Sequence, residues 1–328
     1  MTPSETDAAL NRAIAGRTAL TAPEMRAFLS ADDAGVDSAL FSAAREVKAR
    51  CGKTAVLPRG LIETSNVCRK NCLYCGIRRD QGEIPRYRLA EADIGACVAE
   101  AQRRGWTAVA FQAGEVESEA NTAFYERLLR SLPPSLEVTL SLGEQTEDVY
   151  RRWKDAAGRR VLRYLIRIEA SSRELYAKIH PHADSSFERR LACIRTLKRL
   201  GYVTGSGVMI GLPWQTAGDL AADIAFFGRE GLDMVGMGPY IPVPGTPLRA
   251  ASPGFRPAPL SLALRMIALT RLYLHDVNIV AATALEALSP GDGRERGIAA
   301  GANVVMTDLT PPEAKAAYAL YPGKATAR

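Results

Sequence analysis

The chain has 328 residues, 47% of them hydrophobic and 24% charged, and a net charge of +6 at neutral pH. No apolar run approaches the roughly 20 residues that span a bilayer, and residues 1–16 bring early acidic side chains without a signal-peptide core, so a cytoplasmic protein is expected. Basic residues stand singly or in pairs such as Arg103-Arg104 and Arg189-Arg190, with no aromatic-interleaved stripe, which argues against a nucleic-acid partner.

Residues 1–50 read as a helical segment. Thr21-Ala-Pro-Glu24 fits a capping box with Pro23 in the first turn, and Leu40, Phe41, Ala44 and Val47 recur at helical spacing over 37–50. The pattern then alternates. Short apolar segments near 60–64, 108–113, 137–142, 164–169, 203–212, 234–241, 278–284 and 303–307 read as buried strands. Amphipathic stretches at 91–104, 187–200, 219–229 and 260–274 read as intervening helices, the third opened by Thr216-x-x-Asp219. No linker, repeat or low-complexity segment interrupts this series. It predicts an α/β chain: a (β/α)8 TIM barrel with a C-terminal cap over 51–328, behind an N-terminal helical extension over 1–50. The proline-rich stretch 239–259 is expected as a long loop after the sixth strand, at the end of the barrel where active sites sit.

Six cysteines in a cytoplasmic chain do not suggest a disulfide framework. Three of them form Cys68-Arg-Lys-Asn-Cys72-Leu-Tyr-Cys75, directly after the first strand candidate. Thiolates at this spacing can reach three corners of one [4Fe–4S] cube and leave the fourth iron open to a small molecule. A Cys3His zinc site is the alternative; it needs a histidine, and His180, His182 and His275 are all remote in sequence. Cys97 falls with Ile94, Val98 and Ala101 on an apolar helix face and Cys193 sits similarly, so both are expected in the core.

C-x3-C-x2-C with Tyr74 before the last cysteine is similar to the signature of the radical S-adenosylmethionine (SAM) enzymes. The resemblance implies a [4Fe–4S] cluster on Cys68, Cys72 and Cys75 whose open iron chelates SAM, and reductive cleavage of SAM to a 5′-deoxyadenosyl radical. Phe111-Gln-Ala-Gly114-Glu115 resembles the superfamily's Gly-Gly-Glu motif, which holds the SAM amino group. By the same resemblance Tyr74, Ser141, Glu169 and Arg190 bind SAM, with Glu169 toward the ribose or amino group and Arg190 toward the carboxylate. Arg167 and Glu169 share one strand face by the two-residue period.

Over roughly residues 25–325 the chain resembles the HydE-type [FeFe]-hydrogenase maturases, sisters of methylornithine synthase and biotin synthase. The matching segments are 66–79, 138–144, 207–216, 233–248, 266–271, 301–306 and 321–324. Biotin synthase fits less well, because its auxiliary cluster needs further cysteines inside the barrel. The resemblance implies a small anionic or sulfur-containing substrate met by Arg59, Gln112, Thr139, Arg167, Thr283, Met306 and Tyr318. A buried Arg59 or Arg167 calls for an anionic partner. Implied partners are an electron donor such as ferredoxin or flavodoxin and other maturation proteins.

Departures from the family pattern fall at Ala113 (usually Ser), Ile168 (His), Ala282 (Thr), Trp214 (Gly) and Val243 (His). They leave open a HydE-like enzyme with a different small substrate, such as an amino-acid mutase of the methylornithine synthase type. A non-catalytic iron–sulfur carrier and a tRNA-modifying radical enzyme are the remaining readings; the chain has no second cysteine triad for the latter.

Overall fold

The computed structural model describes residues 1–318, 320–322 and 324. Its strands are β1 (Leu57–Ser65), β2 (Ala108–Ala113), β3 (Glu137–Ser141), β4 (Leu162–Leu165), β5 (Val203–Ser206), β6 (Met209–Ile210), β7 (Met234–Val235), β8 (Gly238–Pro239), β9 (Asn278–Ala281) and β10 (Val304–Asp308). Eight of these close a barrel in the order β1-β10-β9-β7-β5-β4-β3-β2, every pairing parallel. Helices follow the strands and cover the outside, the (β/α)8 arrangement that the alternating sequence predicts.

Two expected strands are each split. The segments 203–212 and 234–241 give β5 and β7 to the barrel, and their second halves, β6 and β8, pair with each other in a separate parallel sheet. The cause lies at Gly207 and Gly236. A Cβ on Gly207 would stand 1.9 Å from the Gly236 carbonyl oxygen, so only a glycine at 207 lets the two chains approach there, where β6 and β8 leave the barrel.

The fourth strand ends at Leu165, short of the expected 169. Beyond it the backbone keeps hydrogen-bonding to the neighbouring segment without forming strand. Ile166 N donates to Gly205 O (3.0 Å), Ile168 N to the Ser206 hydroxyl (3.0 Å) and Glu169 N to Gly207 O (3.0 Å). The expected strand 278–284 stops at Ala281, and Thr283 opens the short helix Thr283–Leu288. The loop expected at 239–259 contains one short helix, Pro247–Ala251.

The helices Glu91–Arg103, Phe187–Arg199, Ala217–Arg229 and Leu260–Leu274 stand within two residues of expectation. Both predicted caps form: Glu24 N donates to Thr21 Oγ1 (3.4 Å), and Asp219 N to Thr216 Oγ1 (3.1 Å). Three helices make up the N-terminal segment: Pro3–Ala15, Ala22–Leu29 and Ala34–Arg50. The third packs on Leu260–Leu274 and the second on Ala217–Arg229, within the same hydrophobic core as the barrel. Leu260–Leu274 is apolar nearly all round because it lies between that layer and the strands. Cys97 and Cys193 are buried in this core, as their helix faces require. Among the described residues no helix is long and apolar enough to cross a membrane.

Asp223, on the helix Ala217–Arg229, is 1% exposed and accepts from Ser171 N (2.8 Å), bracing the loop after Glu169. Burial pushes its carboxyl up to about 7, against hydrogen bonds from Ser171 that pull it down. The folded protein therefore holds this proton more tightly than the unfolded chain. Stability from this group is complete below pH 4 and is lost as pH rises to 7, on the order of 4 kcal/mol over that window. Asp223→Asn is expected to flatten that fall in denaturant titrations run between pH 4 and 8.

Candidate active site

The barrel interior is layered by the two-residue strand period. A lower layer holds Arg59, Thr139, Asn278 and Val304 around a cavity of about 10 Å³. Two residues further along the same strands, Leu61, Ser141, Val280 and Met306 line the floor and wall of a cavity of about 320 Å³ at the C-terminal end. Cys68, Cys72 and Cys75, on the loop after β1, all face this larger cavity.

That loop is clamped against the end of β2. A Cβ on Gly114 would lie 2.3 Å from Val67 O and 2.8 Å from Cys68 Cβ, so this position accepts no side chain. Arg69 N donates to Glu115 O (2.8 Å), and Glu115 N donates to Cys68 Sγ (3.3 Å). On the far side Leu73 N donates to Ile179 O (3.1 Å). All six cysteines are free. Burial raises all three loop thiols, Cys72 to about 12, and Cys68 and Cys72 push the Cys75 thiol up further. Three thiolates crowded in a buried pocket need a strongly cationic partner, so the donor set fits an iron–sulfur cube bound through three corners.

Beside the thiols lies an ion network that the sequence reading did not assemble. Glu144 is fully buried, and its carboxylate accepts from Arg190 Nε (2.6 Å) and Lys70 Nζ (3.0 Å). Its amide N donates to Glu115 Oε2 (2.8 Å), whose other oxygen meets Arg69 Nη2 (2.9 Å). Gly143 makes this approach possible, since a Cβ there would stand 2.4 Å from Glu115 Oε2. Burial raises the Glu144 carboxyl, but Arg190 and Lys70 together outweigh it and hold the group below its ordinary value. Burial raises Glu115 in the same network. Arg190 is the buried member of the Arg189-Arg190 pair and reaches the cavity wall.

The expected SAM contacts Tyr74, Gly114, Glu115, Ser141, Glu169 and Arg190 all line the large cavity. Glu115 does so with its carboxylate already bonded to Arg69 and to the Glu144 amide. Glu169 adopts φ +66°, a left-handed conformation that costs a non-glycine residue about 1–3 kcal/mol and is over-represented at functional sites. Its carboxylate pairs with Arg167 Nη2 (2.9 Å), although neither residue lies in the strand expected to give them a shared face.

Of the expected substrate contacts, Gln112, Arg167, Thr283, Met306 and Tyr318 line the same cavity. Arg59 and Thr139 do not. They lie one layer lower, joined by an Arg59 Nη1–Thr139 Oγ1 bond (3.3 Å). The expected anionic partner of Arg59 is absent among the described side chains; burial and Arg163 bring its guanidinium down to about 10. The C-terminal cap roofs the cavity through Tyr318, Leu320 and Tyr321, and Lys324 ties it down to buried Glu63 on β1. Of the segment 321–324, Gly323 lies outside the described residues, as do 325–328 of the expected cap.

His180 is 105 residues beyond Cys75 in sequence, yet it lies beside the cysteine loop. It is buried, with Nδ1 on Tyr176 O (3.1 Å) and Nε2 on the Tyr74 hydroxyl (3.1 Å). A carbonyl only accepts, so Nδ1 carries the proton and Tyr74 donates to Nε2. Burial, then Arg190, lowers this imidazole to about 3. Both ring nitrogens are engaged, so His180 is not poised as a zinc ligand; His275 bonds Ala13 O in the N-terminal segment instead.

The profile of the Radical SAM superfamily matches residues 62–227. The chain belongs to the radical SAM superfamily. It is 42% identical to the [FeFe] hydrogenase maturase subunit HydE of Thermotoga maritima over 94% of this chain and 86% of that protein. Identity to the 3-methylornithine synthase of Methanosarcina barkeri is 26%, over 90% and 81% of the two chains. Among solved structures, methylornithine synthase (PylB) superposes with a TM-score of 0.80 at 25% identity, covering 93% of this chain and 86% of that one. The maturase HydG of Carboxydothermus hydrogenoformans shares the fold, with a TM-score of 0.77 over 93% of this chain and 70% of that one, at 19% identity. The protein is thus a radical SAM enzyme of HydE-like type, using a [4Fe–4S] cluster and SAM.

The departures from the HydE pattern divide by position. Ala113 and Ala282 line the cavity, where each leaves an apolar patch. Ile168 and Val243 are buried outside its lining. Trp214 is exposed at φ +68°, on a loop where glycine would be unstrained.

Gly114→Ala concentrates an overpacking cost of about 1–3 kcal/mol on the Cys68 loop. The variant is expected to keep its far-ultraviolet circular dichroism and lose much of its bound iron and sulfide, measured by elemental analysis after reconstitution.

Proposed function

We propose that this radical SAM enzyme acts in [FeFe]-hydrogenase maturation, on a small anionic or sulfur-containing substrate held above the barrel's lower layer. The observation that carries this reading is the 42% identity to a HydE subunit along 94% of the chain. Cys68, Cys72 and Cys75 would hold the cluster, and the cluster with SAM supplies a one-electron reductive cleavage that yields methionine and a 5′-deoxyadenosyl radical.

The chain's own residues bind and orient. Arg190 presents a guanidinium to the SAM carboxylate, and Glu169 offers a carboxylate to the amino group or ribose, an arrangement that pairs opposite charges at both ends of the amino acid. Tyr74, steered by its bond to His180, lines the cavity beside the cysteines. Gly114 and Ser141 add a wall without bulk. Deeper in, Gln112, Thr283 and Tyr318 supply hydrogen bonds to the substrate, and Arg167 supplies positive charge. The cap residues Tyr318, Leu320 and Tyr321 exclude water from the reacting radical. Arg59 and Thr139, one layer below this cavity, fill the barrel beneath its floor and touch no substrate directly. An electron donor such as ferredoxin or flavodoxin and other maturation proteins complete the partners, in the cytoplasm.

A second reading has specific support. Ala113 and Ala282 put apolar surface in the cavity wall, and methylornithine synthase shares the fold across nearly the whole chain. The same machinery then serves a different small substrate, such as an amino acid.

Reconstituted protein with dithionite and SAM is expected to release 5′-deoxyadenosine, detected by liquid chromatography, and Cys72→Ser to release none. Iron-loaded protein that leaves SAM intact under strong reductant would return the chain to the carrier reading. Activation of apo-hydrogenase together with the other maturases separates the maturase from the amino-acid enzyme; product analysis with lysine as substrate tests the latter.

A further inference from the structure

Arg190 and the cysteine loop come from distant parts of the chain, yet one side chain touches both. Glu144, directly after β3, is fully buried; one oxygen accepts from Arg190 Nε (2.6 Å) and the other from Lys70 Nζ (3.0 Å). Lys70 lies between Cys68 and Cys72, and its ammonium points inward, 3% exposed, to Glu144 and to the Asp184 carbonyl. Arg190 also donates from Nη1 to Arg167 O (2.6 Å). Among the described residues its Nη2 has no hydrogen-bond partner, while the side chain lines the cavity.

We propose that Glu144 is a positioning residue for SAM: it fixes the Arg190 guanidinium so that the unbonded Nη2 faces the SAM carboxylate, and through Lys70 it sets the distance from that guanidinium to the cysteine loop. This rests on the assignment of Arg190 to the SAM carboxylate.

The charge balance supports the role. The network holds four cations (Arg69, Lys70, Arg189 and Arg190) and three carboxylates (Glu115, Glu117 and Glu144), joined pairwise by contacts of 2.6–3.5 Å. The network carries one positive charge in surplus, and of its cations Lys70 and Arg190 line the cavity, where a ligand carboxylate would be drawn. A free arginine gives up rotamer freedom to make such a contact; one already anchored at Nε and Nη1 has lost it in the apo-protein.

The test uses the reconstituted holoprotein and measures SAM binding by calorimetry, cluster content by iron analysis and the SAM-induced change in the electron paramagnetic resonance spectrum of the reduced cluster. Glu144→Gln keeps the size of the side chain and removes its charge. It is expected to load normal iron, to show the wild-type spectrum without SAM, and to bind SAM on the order of tenfold more weakly. Arg190→Ala is expected to weaken SAM binding by itself, and adding Glu144→Gln to it is expected to cost little more, because the two side chains act as one unit. Wild-type SAM affinity in Glu144→Gln, or losses that add in the double variant, would overturn the proposal. Should Glu144→Gln fail to load iron, Glu144→Asp, which draws the carboxylate back by one methylene, is put to the same two criteria. Failure of both to load iron also overturns it, since Glu144 then holds the loop rather than Arg190. Unchanged SAM binding in Arg190→Ala sinks the assignment of Arg190 and this inference together; a loss there with wild-type affinity in Glu144→Gln sinks the inference alone.

Discussion

Three thiols must stand together at the mouth of a barrel without collapsing onto one another, and the structure depends on how that loop is held. Gly114 lets β2 end directly against Val67 and Cys68, and the Arg69 and Glu115 backbones bond across the contact. Lys70 turns inward to Glu144 from the middle of the loop. The helix Arg173–Ile179 closes the other side through Leu73 and, one residue beyond its end, through His180 and Tyr74. The loop is therefore tied at three points to three different elements. That is what a cluster with only three protein ligands requires, because the missing fourth ligand cannot help to position it.

Charge is managed with the same economy. Burying Glu144 alone would be unfavourable, and burying Arg190 alone equally so; joined, each keeps the other ionised, with Lys70 as a third partner. The second pair, Arg167 and Glu169, adjoins the first through the Arg190 bond to the Arg167 carbonyl, on backbone held in a left-handed turn at Glu169. Asp223 braces the following residues from outside. The cavity wall thus mixes charged side chains such as Arg167, Glu169 and Arg190 with apolar ones such as Met306, Ala282 and Ile241.

Much of this was legible in the sequence, for local reasons. The cysteine spacing is a property of eight consecutive residues, strand order follows from alternating periodicity, and both capping boxes are four-residue signals. Tyr74 and Gly114 reached the cavity because each sits within a recognisable motif, and Glu169 because the chain beyond β4 continues to bond along its neighbour. Errors arose where tertiary contact overrode local pattern. The apolar segments 203–212 and 234–241 look like single strands, and only the Gly207–Gly236 crossing divides them. Arg59 and Thr139 have the right inward parity but the wrong height: period two gives the face of a strand, not the layer.

By itself, the sequence determined the barrel, the cysteine loop after its first strand and the membership of the chain in its superfamily, because those rest on spacing and periodicity along a continuous stretch. Tertiary structure decided which of Arg189 and Arg190 is buried, that Glu144 joins Arg190 to Lys70, that His180 steers Tyr74, and which polar residues share one cavity. Lys70 and Glu144 are 74 residues apart, and Tyr74 and His180 are 106 apart. Nothing local marks such pairs; they exist only once the barrel closes and brings the ends of its strands around a single opening.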